Sequence, residues 1–64
     1  MNEDSMNPKT IEHYSHGINI ALDAAETQSE VQTVLSSYIE ALKYCQVITT
    51  AEGNHLWNKF KDIK

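Results

Sequence analysis

Along most of this chain apolar residues return at steps of three and four, the spacing of one face of an α-helix. Ile11, Tyr14, Ile18, Ala21, Leu22 and Ala25 form the first such stripe. Val31, Val34, Leu35, Tyr38, Ala41, Leu42, Cys45 and Ile48 form a second and longer one, which Ile39 and Val47 widen on one side. Leu56, Trp57, Phe60 and Ile63 form a short third stripe that holds the only Trp and the only Phe. No run alternates apolar with polar, and no Asn-Gly or Asp-Gly pair marks a hairpin, so no strand is expected.

Polar punctuation divides the stripes. Asn7-Pro8 is a helix start: Asn caps well, and Pro at the first helical position gives up an N–H that has no partner there. Thr27-x-x-Glu30 and Thr49-x-x-Glu52 are capping-box patterns, in which the hydroxyl and the carboxylate bond each other's backbone N–H. These signals predict helices over about 8–26, 28–48 and 50–62, preceded by a polar, disordered leader over 1–6. The expected fold is all-α: a helical hairpin of two long helices plus a short C-terminal third helix, together a small bundle. Residues 7–64 form its single domain. Gly17 inside the first helix costs about 1 kcal/mol of helix propensity unless it admits another backbone closely. Gly53 weakens the first turn of the third.

Size then bears on assembly. A chain of 64 residues buries only about 60% of its unfolded surface, and domains this small are commonly reinforced by disulfides, metals or oligomerisation. A single cysteine, Cys45, allows no internal disulfide, and no zinc-type Cys/His spacing is present. Self-association remains, and a homodimer is expected. The broad stripe of the second helix and the aromatic third helix nominate Ile20, Tyr38, Ile39, Trp57 and Phe60 as the residues of self-association or partner binding.

Charge removes other classes. Nine Asp/Glu stand against five Lys and no Arg, for a net charge of −4. Arg is the usual reader of phosphate and guanine, so direct nucleic-acid binding is not expected. The second and third helices do admit a helix-turn-helix alternative, a DNA-associated regulator with lysines at its C-terminal end. Its recognition helix would open Thr50-Ala51-Glu52-Gly53-Asn54, with a glutamate facing phosphates. No stretch approaches the ~20 apolar residues of a membrane span, and the N-terminus carries Glu3 and Asp4 rather than a signal peptide. A cytoplasmic location follows as the expectation.

Candidate chemistry is sparse. His13 and His16 are neighbours on a helix, but a metal site needs a third ligand and a supporting shell; two solvent-facing histidines are the simpler reading. Cys45, between Leu42 and Ile48, is expected to pack as a small hydrophobe. Asp23, Glu26 and Glu30 surround the first helix junction, where capping and the helix dipole account for them. No enzyme, cofactor or metal is expected.

The run Gln46-Val47-Ile48-Thr49-Thr50-Ala51-Glu52, followed by Leu56-Trp57, resembles a turn common in small helical proteins of enterobacteria and their phages. There an apolar helix ends in an Ile-Thr/Ser pair and an acidic residue opens a short last helix. Together with size, acidity and the missing arginine, it is similar to accessory proteins of lambda-like phages. The resemblance implies a cytoplasmic modulator of host or phage development and carries over no catalytic or ligand-binding residue.

Overall fold

The computed structural model describes residues 3–64. Among them three helices run in order, α1 (Pro8–Leu22), α2 (Gln28–Tyr44) and α3 (Thr50–Phe60), and no strand is present. The all-α bundle is thus as the stripes predict. Gln28 and Gln32 near the start of α2 reach the carbonyl of Lys61 just after α3, so α3 runs antiparallel to α2. The five-residue connection from Asp23 to Thr27 turns α2 back along α1.

Each helix starts where the sequence places it. Asn7 caps α1 by accepting from the N–H of Lys9 at 2.9 Å, with Pro8 in the first helical position. Thr27 caps α2 by accepting from the N–H of Glu30 at 3.2 Å. Thr49 and Glu52 form the reciprocal capping box at α3. These bonds satisfy donors that the helix itself leaves free.

The ends come earlier than the periodicity predicts. α1 stops at Leu22 rather than Glu26. The Asp23 N–H is shared between the carbonyls of Asn19 and Ile20, Ala25 bonds back to Leu22, and Glu26 gives its N–H to the Glu30 carboxylate at 3.0 Å. With that N–H committed to the next helix, α1 cannot continue, and Ala25 turns into the core instead.

α2 stops at Tyr44 rather than Ile48. Val47 donates to the carbonyl of Leu42 at 3.2 Å and Gln46 to that of Lys43 at 3.0 Å. That pair of bonds is the Schellman motif. It puts Gln46 at φ 60°, in the left-handed region, without a glycine. A side chain there costs roughly 1–2 kcal/mol. Cys45, still in the right-handed conformation as the cap of α2, follows exposed Ala41 by one turn and is exposed rather than packed in the core as its spacing suggests. Val47 is also exposed, while Ile48 swings inward. α3 stops at Phe60, and Ile63 beyond it is exposed.

The core lies between the three helices. Ile18, Leu22, Val31, Leu35 and Leu56 are its fully buried large side chains, joined by Ala25, Ile39, Ile48 and Phe60. Gly53 is buried against α2. A Cβ there would sit 3.1 Å from Lys43 Cδ and 3.3 Å from Ile39 Cγ2. The glycine thus trades helix propensity for close approach of α3 to α2.

One carboxylate joins the elements. Glu52 is 3% exposed. Its Oε1 accepts from the N–H of Thr49 at 2.8 Å and its Oε2 from the N–H of Asn7 at 2.8 Å. It therefore holds the caps of α3 and α1 at once. The leader joins the same cluster. The Thr49 hydroxyl donates to the carbonyl of Ser5 at 2.6 Å, the Ala51 N–H donates to that of Glu3 at 3.0 Å, and the Thr50 hydroxyl bonds the Glu3 carboxylate. Within the stretch expected to lack structure, Glu3 and Ser5 bond the start of α3; Met1 and Asn2 lie outside the described residues.

Burial would raise the pKa of Glu52, but the N–H groups of Asn7 and Thr49 that its two oxygens accept from outweigh it and hold the carboxyl below its usual range. A group with a depressed folded pKa contributes stability above its unfolded value, about 4.3, and loses it as pH falls through the folded value. Glu52→Gln turns an amide donor toward an N–H and is expected to cost about 1.5–3 kcal/mol at neutral pH. Urea unfolding midpoints should then converge between wild type and variant as pH drops below about 4. Parallel curves through the acid range would rule out this role for the carboxylate.

Candidate interaction surface

Three helices leave three seams, and each is lined differently. Along the α1–α2 seam Tyr14, Val34 and Tyr38 are only half-buried, packed against the core on one side and open on the other. Gly17 and Ala21 lie between them on α1, and Ala24 and Ala41 are exposed toward the two ends. One end of the seam is lined by Lys9, Glu12, His13 and His16. At the other end stand Ser29, Glu30 and Thr33.

Gly17 answers to Tyr38. A Cβ built on Gly17 would lie 2.5 Å from the Tyr38 hydroxyl oxygen, whereas the ring carbon bearing it is 3.6 Å away. The close approach suggested by Gly17 therefore involves a tyrosine hydroxyl and not another backbone.

The α2–α3 seam carries Trp57, half-buried beside Ile39, Lys43 and Gly53. Lys43 also pairs with exposed Glu40 at 3.5 Å, a surface contact that contributes little. The α1–α3 seam holds Ile11, His16, His55 and Lys59, with Met6 of the leader at its lip. Lys59 donates to the hydroxyl of buried Ser15 at 3.3 Å, and its ammonium lies 5.4 Å from the centre of the Phe60 ring.

The nominated residues divide among these environments. Ile39 and Phe60 are core side chains, 4% and 3% exposed, so they are withdrawn from any partner. Their offsets match the inner stripe, and only the placement of α3 shows which side of α2 it covers. Tyr38 and Trp57 are half-open but on different seams. Ile20 is 64% exposed on the outer side of α1. The five therefore form no single patch. Tyr14 and Val34, already on the stripes, are the seam residues that sequence reasoning did not single out. Half-burial of a stripe residue is the signal, and it emerges only once all three helices are placed.

The histidines sit in separate settings. His13 packs edge-on against Tyr14, with ring centres 4.9 Å apart at 82°, while His16 shares the α1–α3 groove with His55. Among the described residues no group of three or more His, Cys, Asp or Glu is placed to hold a metal ion. No described helix is long and apolar enough to cross a membrane. Comparison with protein-family models, with curated proteins and with solved structures finds no match.

A double-mutant cycle tests the seam's packing. Gly17→Ala in wild type should return less than the ~1 kcal/mol of helix propensity that Ala offers, because Tyr38 must move. In a Tyr38→Phe background the same change meets only ordinary contact and should return most of it, for a coupling of about 1 kcal/mol. Equal effects of Gly17→Ala in both backgrounds would count against the contact.

Proposed function

We propose that this chain is a small, non-enzymatic, cytoplasmic regulatory protein that acts through protein–protein contact as a homodimer. We place it with the accessory factors that lambda-like phages and enterobacterial prophages use to modulate host or phage development. The observation that carries the reading is the α1–α2 seam. Two tyrosines and a valine lie half-covered there, in a chain small enough to gain from association. Half-open tyrosines are the usual anchors of protein interfaces, since they supply apolar area and a polar tip at little cost in side-chain entropy.

The helix-turn-helix alternative is not favoured by the structure at α3. A recognition helix reads bases with the residues of its first turns. Here Thr49 and Glu52 are each 3% exposed, and Glu3 lies across Thr50 and Ala51. The end that would enter a groove is covered by the protein's own leader, and that cover is acidic.

Sedimentation equilibrium of the wild-type chain across a concentration series decides the assembly. A dimer persisting at low micromolar concentration is the expected result. A monomer throughout would overturn self-association and leave the seam for a different protein.

A further inference from the structure

We draw no further inference here: the strongest candidate, the open groove between α1 and α3 lined by Ile11, His16, His55 and Lys59, gives its lysine to the Ser15 hydroxyl and holds the Glu12 carboxylate as well, and nothing in the structure shows what covers it.

Discussion

The Glu52 carboxylate is the joint on which this fold depends. A chain this short has little apolar surface with which to position its third helix, and α3 alone is too short to be stable in water. Glu52 adds a direction that the burial of Leu56 and Phe60 does not give. Its two oxygens accept from the caps of two different helices, Thr49 ahead of α3 and Asn7 ahead of α1. Burial disfavours the charge, but the converging N–H groups compensate, and the acid is held ionised. A buried carboxylate with both oxygens occupied is more directional than a methyl contact. It fixes where the two helix starts lie relative to each other.

The leader and the far end of α3 follow from that joint. Once Asn7 is held, the preceding residues run past the start of α3, where Ser5 and Glu3 accept from Thr49 and Ala51. At the other end, Gln28 and Gln32 of α2 take the carbonyl of Lys61, and Gln28 also accepts from the N–H of Lys64. The shortest helix is thus tied by polar contacts at both termini and by Leu56 and Phe60 between them. Gly53 lets it lie close on α2.

Helix starts were legible in the sequence because a cap is a local event, written in two or three residues such as Asn7-Pro8 or Thr49-x-x-Glu52. Helix ends were not. Nothing in the local spelling announces that Glu26 will give its N–H to Glu30, or that Gln46 will accept a left-handed conformation. Cys45, on the stripe by count, lies at its exposed edge, one turn after exposed Ala41. The contacts of Glu3 and Ser5 are out of reach of a local reading because their partners are more than forty residues away in sequence. The interaction residues suffered from a related ambiguity. Ile39 and Tyr38 are adjacent on α2, and only the positions of α3 and α1 make the first a core residue and the second half-open.

Amide hydrogen exchange, read residue by residue by NMR, tests the central claim most directly. If Glu52 is the joint, the N–H groups of Asn7, Thr49 and Ala51 exchange slowly, on the scale of the core amides near Leu35, although Asn7 and its neighbours lie at the surface. In Glu52→Gln all three should lose that protection while the amides of the α2 core keep theirs. Fast exchange at Asn7 and Ala51 in the wild-type protein, beside a protected core, would contradict the account. The leader and the first turn of α3 would then not be held by this carboxylate.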